Sequence, residues 1–199
     1  MLGVSYRINS QAHKWQKMAL LLDKLLLDKS DLSNFREVSA NITDDKMAIF
    51  IREAQTINVK PFLGAELYLL LLNDYTVATK SFATQKYTDL WFGANYTNTN
   101  GVVVRQNGLM SSSVYFTYGR FLLQQNTNVG RYGVGSLNQE NTTTSGPSTV
   151  RTNTTQANAV ALSYQKDVET FLRDNLTIYP EFNTKTTTGQ KIAAPFFKV

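Results

Sequence analysis

The stretch Ala65–Leu72, AELYLLLL, most constrains what this chain can fold into. A helix that is apolar on nearly every side must be covered on nearly every side. At about 9 to 12 residues it is also much too short to cross a bilayer, which takes about 20. It is preceded by a second apolar pattern. Thr43 is placed as an N-cap, with Asp44 and Asp45 in the first turn, where negative charge suits the helix dipole. Met47, Phe50, Ile51, Ala54 and Ile57 then repeat at helical spacing on one face. Asn58 and Pro61 are expected to end that helix, because proline disfavours helix just before it. The region Thr43–Tyr75 therefore reads as a helix pair around which the rest is organised. Its second member carries more apolar surface than so small a chain is expected to hide, which points to an oligomer.

The remaining segments favour helix. His13–Asp28, HKWQKMALLLDKLLLD, carries Trp15, Met18, Leu22, Leu25 and Leu26 on one stripe and is expected to be helical. Its lysines would suit a membrane surface, but Asp23 and Asp28 dilute them, so packing on the body or on another subunit is the better expectation. Leu32, Phe35 and Val38 are expected to point to the core. Thr84–Phe92 reads as a short helix stopped by Gly93. The β-branched run Val102–Val104 between Asn-Gly pairs reads as a hairpin or strand-bearing loop. Leu109–Gln125 returns to helix, with Tyr115 and Phe116 widening an aromatic band. Asn126–Thr155, rich in Gly, Asn, Ser and Thr, is expected to be a long polar loop. Gln156–Asn175 has the 3.6 period again and is expected to close at Tyr179-Pro180. A polar leash then ends in the aromatic pair Phe196-Phe197, a pattern suited to docking.

The fold class expected is mainly α: a helical bundle with a small β-hairpin or strand element, a long polar loop and an extended C-terminal tail. The expected divisions are an N-terminal helical extension over 1–30, a helical domain over 31–180 with the loop 126–155, and a docking tail over 181–199.

Chemistry is scarce. The chain has no cysteine and one histidine, His13, so disulfides, thiol catalysis and the usual zinc sites are excluded. The glycines Gly130, Gly133 and Gly135 match neither phosphate-loop spacing. Asp44, Asp45 and Glu53 read as helix-start charge and solvated face. No catalytic residue, metal or cofactor is expected. A net charge of +5 would suit an anionic partner, but the basic residues are scattered. The opening MLGVSYRINSQ is mixed rather than basic then apolar, so no secretory signal is expected, and no membrane partner either.

The succession NITDDKMAIFIREAQTINVKPFLGAELY, KYTDLWFGANYTNTNG, NGLMSSSVYFTYGRFL and FLRDNLTIYPEF, from about Asp31 to Phe182, resembles the head–tail connector proteins of tailed bacteriophages. It looks most like the neck ring (adaptor) proteins of crAss-like phages. The likeness rests on the order of helices and on Ala54-Gln55, Leu63-Gly64 and Tyr179-Pro180 rather than on a catalytic motif. It implies a structural virion protein, not an enzyme, assembled in the bacterial host cytoplasm. Such a protein forms a homo-oligomeric ring, usually of twelve copies, that joins the portal protein to the next neck or tail ring. Non-specific double-stranded DNA passes through its lumen. On that reading Leu67, Leu70, Leu71, Tyr115, Phe116, Arg131 and Tyr132 are candidate subunit or ring contacts. Pro195, Phe196 and Phe197 are candidates for docking on the portal or a neighbouring ring. The alternative is a basic nucleic-acid-binding helical module.

Overall fold

The structure, a computed structural model, describes residues 24–38, 42–125, 127–130, 133–136 and 147–183. The expected fold class holds: helices dominate, and the strands form three separate two-stranded antiparallel pairs. The expectations for residues 1–23, including the helical stripe of Trp15, Met18 and Leu22, lie outside the described residues.

Helix α1 (Lys29–Ser33) opens on a capping box, in which Asp28 accepts from the Asp31 N–H and Asp31 accepts from the Asp28 N–H. Helix α2 (Asp44–Ala54) starts on Thr43 and buries Met47, Ile51 and Ala54, as the spacing requires. The expected break at Asn58 and Pro61 does not occur. The helix continues through a π-helical turn (Gln55–Val59) into α3 (Lys60–Leu63), and the chain breaks only at Gly64, whose φ is +83°. A proline ring in an α-helix collides with the carbonyl four residues back. The wider π turn opens the spiral just ahead of Pro61. It also slips the periodicity by one position, so Gln55 and Val59 turn inward while Ile57, expected in the core stripe, is 56% exposed.

Helix α4 (Ala65–Asp74) is the apolar run. Leu67, Tyr68, Leu71 and Leu72 are buried in the chain's own core, so the chain covers most of this helix itself, while Leu70 is half-buried and Leu69 stays 42% exposed. The covering comes from residues 24–27, expected to finish the N-terminal helix but here non-helical, with Leu26 and Leu27 buried. Further cover comes from α8 (Pro180–Asn183), which packs against α4 and also sets the ring of Phe182 6.0 Å from that of Phe62 in α3. Residues 24–30 and 180–182 thus belong to the body rather than to an extension or a tail.

The pair β1 (Tyr75–Thr76) and β2 (Ser81–Phe82) leads to helix α5 (Gln85–Phe92). Strands β3 (Ala94–Thr97) and β4 (Val103–Gln106) pair with Tyr96 opposite Val104. They run directly into helix α6 (Gly108–Gln125). The end of α5 and the start of α6 cross at two glycines. A Cβ on Gly108 would stand 2.3 Å from the Trp91 carbonyl oxygen, and one on Gly93 would stand 2.6 Å from that of Gln106. Gln106 bridges the crossing, donating to the Asp89 carbonyl and accepting from the Gly108 N–H.

Helix α6, rather than the α2–α4 region, is the axis of the molecule. Leu109, Val114, Phe116 and Phe121 are buried around it, and so are Ser111, Ser112, Ser113 and Thr117. Ser111, Ser113 and Thr117 each donate to the carbonyl four residues back, which hides their polarity inside the helix. Helix α2 flanks it on one side, with Phe50 and Phe121 ring centroids 5.9 Å apart. Helix α7 (Pro147–Asp174) flanks it on another, antiparallel, with Asn158 at Gly119 and Tyr164 against Tyr115. Ala54, Phe116 and Ala161 meet where the three helices join.

The expected loop 126–155 is corrected at both ends. Strands β5 (Thr127–Gly130) and β6 (Gly133–Ser136) pair within it, and α7 begins at Pro147, where a missing N–H costs nothing. The opening turns PSTVRTNTTQ show almost no apolar stripe because most of their side chains face water. Helix α7 ends at Asp174. Tyr179 is then buried, donating to the Lys86 carbonyl, and Pro180 starts α8 instead of closing α7.

Candidate functional site: an apolar and acidic groove beside residues 24–28

The segment Lys24–Asp28 is held without helix or sheet by side chains that imitate a neighbouring strand. The Gln55 amide, turned inward by the π turn, accepts from the Leu26 N–H at 2.7 Å and donates to the Lys24 carbonyl at 3.1 Å. Its nitrogen also lies 3.3 Å from the Tyr68 hydroxyl, and burial raises the pKa of that phenol. The Lys24 ammonium donates to the carbonyls of Leu72 and Tyr75 at the C-terminus of α4, where a cation suits the helix dipole. Arg120 fixes the π turn to α6 by donating to Asn58 and facing Glu53.

Two open grooves flank this segment. The first, ≈ 430 Å³, is lined by apolar Leu25, Leu27, Ala48 and Ile51 and by a mainly acidic rim in which Asp28, Asp44 and Asp45 outnumber Lys29. The second, ≈ 390 Å³, lies towards Tyr75, Val77 and Lys80. Such a surface can bind an apolar guest that carries positive charge. Among the described residues no three His, Cys, Asp or Glu side chains are grouped to hold a metal ion. No described helix is long and apolar enough to cross a membrane.

Between the grooves, Lys80, in the left-handed backbone region at φ +49°, reaches Asp28 and Asp31 from the β1–β2 turn. Burial by itself would raise the Asp28 carboxyl, but hydrogen bonds from Lys80, Ser30 and the Asp31 N–H outweigh it and lower its pKa to about 2. Burial raises Asp31, and the hydrogen bond to Asp28 raises Lys80. Asp28, being depressed, contributes stability present above its ordinary value of 3.8 and lost as pH falls through about 2. Asp31, being raised, acts in the opposite sense. Exposed pairs of this kind are worth roughly 0.2–1 kcal/mol, so the effect is read in the titration rather than in melting. In Lys80→Ala the Asp28 carboxyl, followed by NMR, is expected to titrate well above its wild-type position. An unchanged Asp28 titration would mean that Lys80 does not set it.

Of the sequence-derived contact residues, Leu67, Leu71 and Phe116 are 0%, 0% and 5% exposed and are inner packing rather than subunit contacts. The reason is the cover supplied to α4 by residues 24–27, and the central position of α6. Leu70 and Tyr115 are half-buried, Tyr115 lying between Phe35 and Tyr164 with Arg36 over its ring. Arg131, Tyr132, Pro195, Phe196 and Phe197 lie outside the described residues.

Other apolar side chains are the ones left in water. Val102 and Val103 at the β3–β4 turn are 55% and 70% exposed, Ile49 and Ile57 are exposed on α2 and the π turn, and Leu162 on α7. The signal for the valines was in the sequence: in a two-stranded hairpin packed on one face, alternation must turn part of a VVV run outward. Gln55 carried no such signal, because a polar residue on a helix gives no hint of burial.

No curated protein and no solved structure matches the chain. Residues 59–192, from the end of the π turn onward, match a family of unknown function, DUF6712. The chain belongs to that family.

Proposed function

We propose that this protein is a structural component of a phage virion: a ring in the neck that joins the portal to the tail and lets DNA pass through its lumen. The observation that carries this reading is the distribution of exposed apolar side chains. After the core has formed, Ile49 on α2, Leu162 on α7, Leu69 on α4, Leu123 on α6 and Val102 and Val103 at the β3–β4 turn remain exposed, so two of them lie on the helices that flank α6 on different sides. Single exposed apolar residues are ordinary. Their occurrence on two different flanks suits a subunit enclosed between neighbours, since a ring is built from two unlike surfaces repeated around an axis. The order of helices that resembles phage connectors supports the same reading.

The protein is not an enzyme in this proposal, and it needs no cofactor. Its partners are copies of itself, the portal protein, the next neck or tail ring and non-specific DNA. Native mass spectrometry of the purified chain is expected to give a closed homo-oligomer, and proteomics of purified virions is expected to find it in fixed stoichiometry to the portal. A monomer at high concentration that is also missing from virions would remove the proposal.

A further inference from the structure

The exposed β3–β4 turn and the groove beside α2 lie at opposite ends of the molecule. The hairpin feeds the N-terminus of α6 at Gly108. The groove lies over the first half of α2, which runs along the C-terminal half of α6, because Phe50 meets Phe121 and Ala54 meets Phe116. Helix α6 has 18 residues and so spans about 27 Å. One copy cannot bring its own hairpin to its own groove.

We propose that the β3–β4 turn of one copy seats Val103 in the ≈ 430 Å³ groove of Leu25, Leu27, Ala48 and Ile51 on the next copy. This inference rests on the ring reading and names the contact that would build the ring. Charge is complementary. Val103 pairs with Thr97 and Arg105 with Asn95, so Val103 and Arg105 project from one face of the hairpin, and both are exposed. Arg105 is the one charged residue between Ala94 and Gln106, whereas the groove is lined by Asp28, Asp44 and Asp45 against the single cation Lys29; with Asp28 paired to Lys80, the guanidinium is met by Asp44 and Asp45. Val103 enters the apolar floor while the guanidinium on the same face meets the carboxylates. The contact is head-to-tail: each copy offers a projection at one end and a receptor at the other. Repetition of such a contact closes into a ring when the rotation per copy divides the circle.

The chain has no cysteine, so engineered pairs report this contact cleanly. With an added oxidant, the double variant Ala48→Cys/Val103→Cys is expected to give a ladder of cross-linked multimers. An equimolar mixture of the two single variants is expected to stop at dimers, and each single variant alone is expected to stay uncross-linked. Val102→Asp/Val103→Asp, at exposed positions and with an unchanged circular dichroism spectrum, is expected to weaken self-association at least tenfold. Cross-linking of Val103→Cys alone would mean a hairpin-to-hairpin contact and overturn the proposal. The absence of a ladder would overturn it as well, including the case in which residues 1–23 of the same chain fill the groove. If native mass spectrometry still shows a ring, the ring reading survives that failure. A ladder from a chain that never closes into a ring would keep the contact and remove the ring.

Discussion

Gly108→Ala is expected to be the most damaging single change in the chain, costing roughly 3–5 kcal/mol. Two effects add. The φ of +79° is left-handed, which costs a residue with a Cβ about 1–2 kcal/mol. The new Cβ also enters a backbone crossing, 2.3 Å from the Trp91 carbonyl oxygen and 2.6 Å from the Gly93 nitrogen. Neither of those is the free end of a side chain that can swing away, so α5 and α6 must part. Gly101→Ala is the internal control. Its φ is +76°, but an added Cβ there meets nothing within 4 Å, so only the backbone term of about 1 kcal/mol is expected. For a chain of this size each kcal/mol moves the melting temperature by about 2–4 °C, so the two variants should separate clearly in thermal or urea denaturation. Equal losses in both would show that the crossing is not tight.

Gln55→Ala is expected to cost roughly 2–4 kcal/mol, because it strands the Leu26 N–H and the Lys24 carbonyl beside a new cavity. The damage should be local first. Hydrogen exchange at the Leu26 amide is expected to accelerate much more than exchange within α6. Gln55→Glu refines the test. Glutamate keeps the acceptor for Leu26 but, when ionised, turns negative oxygen towards the Lys24 carbonyl. Its folded pKa is therefore raised, so the stability it contributes is present below about pH 4 and is lost as pH rises through the folded value. The variant should lie closest to wild type in acid and furthest from it at neutral pH. A Gln55→Glu loss independent of pH, with an unaltered Leu26 amide, would contradict the role given to this amide.

The helical class, the hairpin at Val102–Val104 and the helices near 44–54, 85–92 and 109–125 were legible because apolar spacing and end signals agree there. Three features were hidden for physical reasons. Pro61 reads as a stop only if the helix before it is an α-helix, and the π turn removes that premise. Leu25 and Leu26 continue a helical stripe in sequence, yet the backbone there is held through the Lys24 carbonyl and the Leu26 N–H by the Gln55 side chain, which no local pattern announces. Ser111, Ser112 and Ser113 make the central helix look superficial, although they are buried. The candidate contacts failed in the same way. Leu67, Leu71 and Phe116 were chosen for greasiness, and the greasiest residues are those a chain hides first. Val103, flanked by small polar turns, was read for its strand and not for the side it faces.

Those hydroxyls have a mechanical corollary. A carbonyl that accepts from both a backbone N–H and a side chain one turn on binds each less firmly, and helices carrying such bonds bend more readily. Ser111, Ser113 and Thr117 place three of these softened carbonyls at Asn107, just before α6, and at Leu109 and Ser113 in its N-terminal half. The rod at the centre of the molecule is thus compliant at the end that carries the hairpin and stiffer at the end beside the groove. A molecule built this way flexes at one joint under strain while the other keeps its shape.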